Sequence, residues 1–134
     1  MDFVTIATNS DAINFGDLTE DRRQAAGCSS STRGLFGGGS DPTNLDIIDF
    51  ITIASTGDAT DFGNLTDARS RVGGCSNSIR GVFAGGRIGE SPSVRTDIID
   101  YVTIASTGNA TDFGDFSTSG EETSGCSDSH GGLG

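Results

Sequence analysis

The segment from Asp100 to Gly114, DYVTIASTGNATDFG, decides the fold, because nearly the same residues stand at Asp49 to Gly63 as DFITIASTGDATDFG. The two segments are identical at 12 of 15 positions. A looser copy, DFVTIATNSDAINFG, runs from Asp2 to Gly16 and matches the second at 9 of 15 positions. Similarity at a fixed period is typical of repeat architectures. The chain is therefore predicted to be an array of repeated units.

A Gly-Cys-Ser triplet follows each of these segments, at Gly27–Ser29, Gly74–Ser76 and Gly125–Ser127. The cysteines are 47 and then 51 residues apart. After the first two triplets come RGLFGGG at Arg33 to Gly39 and RGVFAGG at Arg80 to Gly86. The whole unit repeats. The four additional residues of the second period (51 − 47) lie between Gly86 and Asp97 and predict a loop at 87–96 that tolerates insertion.

Each unit is predicted to contain four short strands and no helix. β-Branched and aromatic residues alternate with polar ones, and glycine or aspartate ends each run, whereas no window has a period of 3.6 residues. Strands are predicted at 2–7, 12–15, 25–29, 33–36, 47–54 and 59–62, and the cycle repeats through 98–105 and 110–113. Four short strands at this period are typical of a propeller blade.

Composition limits the classes of partner. The 134 residues are enough for one small domain. The net charge of −11 comes from 19 acidic residues against eight arginines and no lysine, so the basic surface that nucleic acid requires is not expected. No run of 18 apolar residues occurs, which excludes a transmembrane helix. A strand pattern directly follows Met1, so no signal peptide is expected.

The three cysteines, Cys28, Cys75 and Cys126, occupy equivalent positions in the repeat. Their spacing offers no cluster of Cys or His ligands for a metal, and equivalent positions need not face each other within bonding distance. They are predicted to be small, buried, free thiols.

No enzyme motif was found among nucleophile elbows, phosphate-binding loops and zinc-protease helices. Aspartate pairs such as Asp58 with Asp61, and Asp112 with Asp115, recur with the repeat and are predicted to be turn and strand-end residues. A Ca²⁺ site at Asp58 to Asp67 is the alternative interpretation, since oxygen ligands are abundant there. We predict a non-enzymatic protein with no catalytic residue, no cofactor and no metal.

Several further features recur in a recognisable order: an arginine, a small-residue strand, a hydrophobic strand ending in Gly-Gly, a strand with an aromatic-Asp pair, and an aromatic residue followed three residues later by Leu. They are carried by Arg69, Gly81–Gly86, Ile98–Val102 with Tyr101, Phe15 with Leu18, and Phe62 with Leu65. Together they resemble a kelch-type repeat, which implies an all-β fold of kelch-like β-propeller blades. Two departures are the absence of Trp and the position of Asp49 and Asp100 before their aromatic neighbours.

The segment IDYVTIASTGNATDFG also resembles repeats in predicted proteins of marine bacteriophages, including cyanophages, where such arrays accompany structural or tail genes. The closing CSDSHGGLG resembles the last repeat of those arrays, with His130 as a terminal polar residue. The resemblance implies a virion protein, made in the host cytoplasm and carried on the extracellular particle.

The strand count predicts about three blades in one array spanning residues 1–134. The predicted parts are a half blade at 1–24, complete blades at 25–66 and 72–114, and an atypical half blade at 115–134. Closed propellers need four to eight blades. We therefore expect an open array, part of a longer chain, or a ring closed by homo-oligomerisation, in which two copies would make about six blades.

Arginines also recur in register, at Arg22 with Arg69 and at Arg33 with Arg80. They are predicted to form salt bridges or bonds to turn carbonyls, and ligand recognition is the alternative. The last copy has Gly120 and Gly131 instead.

The connections that vary between units lie on one face of a propeller and suit a binding surface. The candidate binding residues are Glu20, Asp21, Arg22, Arg23, Arg87, Glu90 and Arg95. The expected function is recognition of a host-surface glycan or protein by a virion or tail module. The alternatives are a purely structural virion module, which binds other virion proteins or copies of itself, an intracellular kelch adaptor, and a degenerate hydrolase.

Overall fold

The computed structural model describes residues 1–127, and His130 and Gly131 lie outside that range. Within it the chain is all-β, with eleven strands and no helix, as the sequence predicted. The strands are β1 (Asp2–Phe3), β2 (Ile13–Asn14), β3 (Ala26–Ser29), β4 (Arg33–Gly37), β5 (Ile47–Thr52), β6 (Thr60–Asn64), β7 (Gly73–Ser76), β8 (Arg80–Ala84), β9 (Arg87–Ile88), β10 (Val94–Thr103) and β11 (Thr111–Gly120).

These strands form antiparallel sheets that follow the chain order. The first is the hairpin of β1 and β2, which we call unit 1. Strands β3, β4, β5 and β6 make the four-stranded sheet of unit 2. Strands β7, β8, β10 and β11 make the sheet of unit 3, with β9 added beside β10. The two complete sheets correspond to the two predicted sets of four strands.

Strands β10 and β11 extend beyond the predicted 98–105 and 110–113. The extension of β10 begins in the predicted loop 87–96, where Val94 pairs with Ile88 and Arg95 with Arg87. On its other side, β10 pairs through Thr96 with Gly120, which prolongs β11. The inserted residues therefore provide backbone partners for one another instead of forming an open loop.

The core lies between the sheets of units 2 and 3. Its members are at most 7% exposed and are Ala26, Leu35, Ile48, Phe62, Leu65, Val72, Phe83, Val102 and Ile104. The ring of Phe83 lies against Gly37, where an added Cβ would be 2.6 Å from that ring. Glycine at this position makes room for the aromatic side chain of the neighbouring unit.

Strands β3 and β7 lie in direct contact, which explains why small residues surround the cysteines. A Cβ on Gly74 would lie 2.6 Å from the carbonyl oxygen of Gly27. Two residues further on, the Ser76 hydroxyl donates to the Ser29 carbonyl at 2.7 Å and accepts from the Ser29 N–H at 3.1 Å. The repeated Gly-x-Ser pattern thus joins neighbouring units at both residues.

A second contact between units, which we call the outer link, is repeated along the array. Between units 2 and 3, the N–H groups of Gly108 and Ala110 donate to the carbonyls of Phe62 and Asn64, at 2.7 and 2.8 Å. The side chain of Asn109 accepts from the Asn64 N–H at 3.1 Å.

The same link joins units 1 and 2. There the N–H groups of Gly57 and Ala59 donate to Phe15 and Asp17, at 2.7 and 2.8 Å. The Asp58 carboxylate accepts from the Asp17 N–H at 3.0 Å, in the place of the Asn109 amide. In both links, carbonyl groups at the last strand of one unit accept hydrogen bonds. The N–H groups that donate lie in the turn before the last strand of the next unit.

Two buried ion pairs fix the connections between units to the following sheet. Arg22 lies 2.8 Å from Asp49 and Arg69 lies 2.6 Å from Asp100, and all four side chains are fully buried. Arg22 also donates to the Phe36 carbonyl. The predicted salt bridges of these two arginines are confirmed, but the carbonyls that they bind lie in strands and not in turns.

Both oxygens of the Asp100 carboxylate in unit 3 accept hydrogen bonds. Asp100 also accepts from the Thr66 hydroxyl at 2.7 Å and from the Thr66 N–H at 3.1 Å. Arg69 donates in addition to the carbonyls of Ile98 and Phe83. Burial lowers the pKa of Arg69, and the charges of Asp100 and Asp67 oppose that shift.

We expect Arg69→Met to lower the free energy of unfolding by about 3–5 kcal/mol, because it leaves the Asp100 carboxylate buried without its partner. The control is Arg80→Met, since Arg80 is exposed and stacks 4.6 Å above the Tyr101 ring. A contact of that kind contributes about 0.5–1 kcal/mol. Chemical denaturation followed by circular dichroism measures both costs, and equal costs would contradict a structural role for the buried pair.

Candidate functional site

The variable connections of units 2 and 3 lie together, and we call the surface they form the loop face. The Asn44 side chain donates to the carbonyls of Arg87 and Gly89, both at 3.1 Å. Its backbone N–H donates to the Glu90 carboxylate at 2.8 Å. The connection that follows β4 is thereby tied to the connection that follows β8, so the face is continuous across two units.

Three arginines converge on one carboxylate of the loop face. Glu121 lies 3.2 Å from Arg71, 3.2 Å from Arg87 and 2.9 Å from Arg95. The hydrogen bond from Arg95 lowers the pKa of Glu121, and burial opposes the shift while the charges of all three arginines reinforce it. A second carboxylate, Glu122, lies 3.4 Å from Arg71. The cluster therefore also holds the last described segment against unit 3.

The candidate binding residues are only partly brought together. Arg87 and Arg95 join the cluster around Glu121, and Glu90 binds the backbone of the neighbouring connection. Arg22 is different, since its side chain is fully buried against Asp49 and offers no surface for a ligand.

The remaining candidates lie on the preceding connection. Arg23 is exposed, and its backbone bridges to Ser40. Glu20 and Asp21 are exposed, and their side chains make no ion pair with another described residue. The seven candidates therefore comprise two arginines of the Glu121 cluster, Glu90 on the neighbouring backbone, one buried structural arginine and three exposed residues of the preceding connection. Arg23 ties that connection to Ser40 at the edge of the loop face.

Sequence reasoning missed Arg71 and Glu121. Arg71 has a positive φ of 56°, as do the equivalent residues Gln24 at 62° and Glu122 at 54°. The Arg71 N–H donates to the Gln24 carbonyl, and the Glu122 N–H donates to the Arg71 carbonyl. The left-handed conformation is uncommon for residues with a side chain, so only alignment of the three units could have indicated these positions.

The loop face contains half of the arginines in an acidic chain. Arg23, Arg71, Arg87 and Arg95 lie there, whereas Arg22 and Arg69 are buried and Arg33 and Arg80 lie at the opposite ends of the strands. The Arg95 side chain is 59% exposed. Planar guanidinium groups bind carboxylate, sulfate and phosphate oxygens in pairs. The loop face is therefore chemically suited to an anionic group.

The opposite side of the array has a groove of about 300 Å³. Residues of the three Gly-Cys-Ser triplets and of the turns after the first two line it, so serine hydroxyls, cysteine side chains and backbone form its walls. The three cysteines are free, as predicted, but Cys28 and Cys75 are only half-buried and Cys126 is exposed. They are less buried than expected because the triplets line an open groove and not a closed core.

Of the paired aspartates, Asp61 and Asp112 bind the backbone near the starts of β6 and β11, whereas Asp58 binds the neighbouring unit. The Asp61 carboxylate accepts from the Gly63 N–H, and Asp112 accepts in the same way from Gly114. Between residues 1 and 127 no group of three acidic, His or Cys side chains is arranged to hold a metal ion. The described part of the chain also contains no helix long and apolar enough to span a membrane.

Comparisons with known proteins identify no relative. No family model matches the chain, and no curated protein matches it. The interpretation of the site therefore depends on its own geometry.

We expect a small thiol reagent at pH 8 to modify Cys126 fastest and Cys28 slowest. Burial, with a contribution from Cys75, raises the pKa of Cys28 to about 12, so little of the reactive thiolate exists at that pH. Labelling of Cys28 should accelerate about tenfold for each pH unit between about 8 and 10 as the thiolate fraction grows. Mass spectrometry of single-cysteine variants measures the rates, and equal rates at the two positions would contradict this order.

Proposed function

We propose that the chain is a non-enzymatic β-propeller-type module of a phage virion or tail whose loop face binds an anionic group on the host surface, such as an acidic glycan. The observation that carries this proposal is the group of arginines gathered on one face of an otherwise acidic protein. The resemblance of the repeats to marine phage proteins supports the virion location. Assembly into the particle would follow synthesis in the host cytoplasm.

The propeller arrangement is part of the proposal. Its support comes from sheets that follow one another along the chain, with the Gly-Cys-Ser strands in contact at one side. In a propeller the first strand of each blade lines the axis, where space is tightest. The 2.6 Å approach of a Gly74 Cβ to Gly27 fits that position.

The chemistry of the loop face favours a carboxylate or sulfate ligand. The cluster contains three arginines and two carboxylates, Glu121 and Glu122, so one positive charge is left there for an external anion. Arg95 is the most exposed of the three, and the connections around it are held by the bonds from Asn44. A rigid, partly desolvated set of donors recognises an anion better than free side chains do.

The second candidate is a purely structural module that joins virion proteins or copies of itself. The apolar side chains left exposed at the two ends of the array favour it, since Ile6 is 97% exposed and Phe113 is 57% exposed. This candidate needs no ligand on the loop face.

We expect the protein to bind acidic glycans on an array, and whole host cells, and we expect Arg95→Ala to weaken that binding about tenfold. Arg80→Ala is the matched control, because Arg80 is also exposed but lies away from the loop face. Binding should also fall with added salt, since the interaction is ionic. Equal losses for the two variants, or no preference for acidic glycans and host cells, would favour the structural module instead.

A further inference from the structure

The buried interface between units 2 and 3 shows what the two exposed ends of the array lack. On the unit 2 side it consists of Leu35, Ile48 and Phe62, which are 0%, 0% and 2% exposed. On the unit 3 side, Phe83, Val102 and Ile104 are 0%, 3% and 1% exposed. Both surfaces recur at other positions of the repeat, where no other unit within residues 1–127 covers them.

The unit 2 side of this interface recurs on the far side of unit 3, which is the side that faces away from unit 2. Repeat spacing places Val82, Ile99 and Phe113 at the positions of Leu35, Ile48 and Phe62. Phe113 is 57% exposed although its equivalent is buried. The three residues line an apolar cavity of about 260 Å³. Phe113 and its neighbours therefore form an unfilled copy of the interface.

The unit 3 side of this interface recurs in part on unit 1. Val4 and Ile6 stand at the positions of Val102 and Ile104. They are 54% and 97% exposed, whereas their equivalents are buried. Ile6 thus projects into solvent, and Val4 lies half exposed at an apolar cavity that Phe36 and Ile51 also line.

The outer link has matching free halves at the same two ends. Ser10 and Ala12 stand at the positions of the donors Gly108 and Ala110, and Asp11 at the position of Asn109. The acceptor segment Phe113–Asp115 repeats Phe62–Asn64. Among residues 1–127 no outer link reaches Phe113–Asp115, and a Cβ on Gly114 would meet open space.

We propose that the far side of unit 3 is the docking site for unit 1 of a second copy of this chain, in head-to-tail register. Val4 and Ile6 of the incoming copy cover Val82, Ile99 and Phe113. The turn at Ser10–Ala12 donates to the carbonyls of Phe113 and Asp115. Two such junctions close a dimer, and successive single junctions extend a chain of copies.

A second copy is the occupant because the apolar and hydrogen-bonding features of the site match unit 1 at the same time. Gly63 is in contact with the Gly108 carbonyl group within one chain, and Gly114 leaves the same space open for the turn of a partner. An unrelated apolar partner would need to reproduce both the side-chain spacing and the donor spacing of the repeat. The junction is heterologous, since different surfaces of the two copies meet.

The junction differs from its internal counterparts at two places. Unit 1 has no strand equivalent to β8, so it supplies no counterpart of Phe83. The second place is an ion pair. Asp2 stands where Asp49 and Asp100 stand, but the arginine that would pair with it is replaced by Gly120. Ser117, at the position of Thr66, retains a hydroxyl group. The junction between two copies is therefore expected to dissociate more easily than units 2 and 3 separate within one chain.

Sedimentation velocity between about 1 and 100 µM tests the proposal. We expect the protein to associate, and Phe113→Asp and Ile6→Asp each to weaken association at least about tenfold. The control is Ile79→Asp, since Ile79 is 62% exposed but lies in the turn between β7 and β8. Circular dichroism would verify that each variant is folded.

Mixing the two end variants distinguishes head-to-tail docking from other contacts. The Phe113→Asp copy retains an intact unit 1, and the Ile6→Asp copy retains an intact far side of unit 3. An equimolar mixture should therefore form a 1:1 dimer that grows no further, although each variant alone stays monomeric. A monomeric wild-type protein, association that survives both substitutions, or a mixture that stays monomeric would overturn the proposal.

The missing arginine offers a test by gain of affinity. We expect Gly120→Arg to tighten association about tenfold by pairing with Asp2 of the neighbouring copy, and Asp2→Asn in the same chain to remove that gain. At Gly120 a Cβ comes no closer than 3.5 Å to Thr123, so the substitution is sterically acceptable. A gain that persists without the Asp2 carboxylate would also contradict the proposed register.

Discussion

The array depends on a buried arginine that is brought to each complete sheet by the connection before it. Arg69 belongs to the segment between units, yet its charge is neutralised in the interior of unit 3 by Asp100. Removing two charges from water is costly, so the pair is tolerated only where further hydrogen bonds complete it. Thr66 and two backbone carbonyls provide them. The connection is consequently fixed in one conformation. This also fixes the positions of the loop-face residues that lie next to it.

The all-β class and the two sets of four strands could be predicted because short β-branched and aromatic runs are separated by Gly, Asp, Asn and Ser residues. Strand lengths could not, since the extension of β10 depends on Val94 finding Ile88 across the inserted residues. The partner of Arg69 was also not evident, because Asp100 is 31 residues away and the acidic chain contains 15 aspartates. Periodicity indicates which residues are equivalent, whereas pairing depends on how the sheets are placed.

The candidate site was predictable to a similar extent. Variability of the connections selected Arg87 and Arg95, which share Glu121. It also selected Arg22, whose neighbours vary although its own role in the fold does not. Arg71 escaped notice because its importance comes from a left-handed backbone conformation that has no signature in a single residue. A charged residue in a variable connection can therefore be structural when it recurs at the same offset from the following strand.

The outer link also bears on how such an array can change in length. Every unit offers the same acceptors to its successor, as Phe15 and Phe62 do, and the same donors to its predecessor, as Gly57 and Gly108 do. Duplication or loss of one whole unit would recreate a junction that already exists, without any new surface having to evolve. Gene rearrangements in steps of about one repeat are thus structurally neutral, whereas a step of a fraction of a repeat would place donors opposite donors.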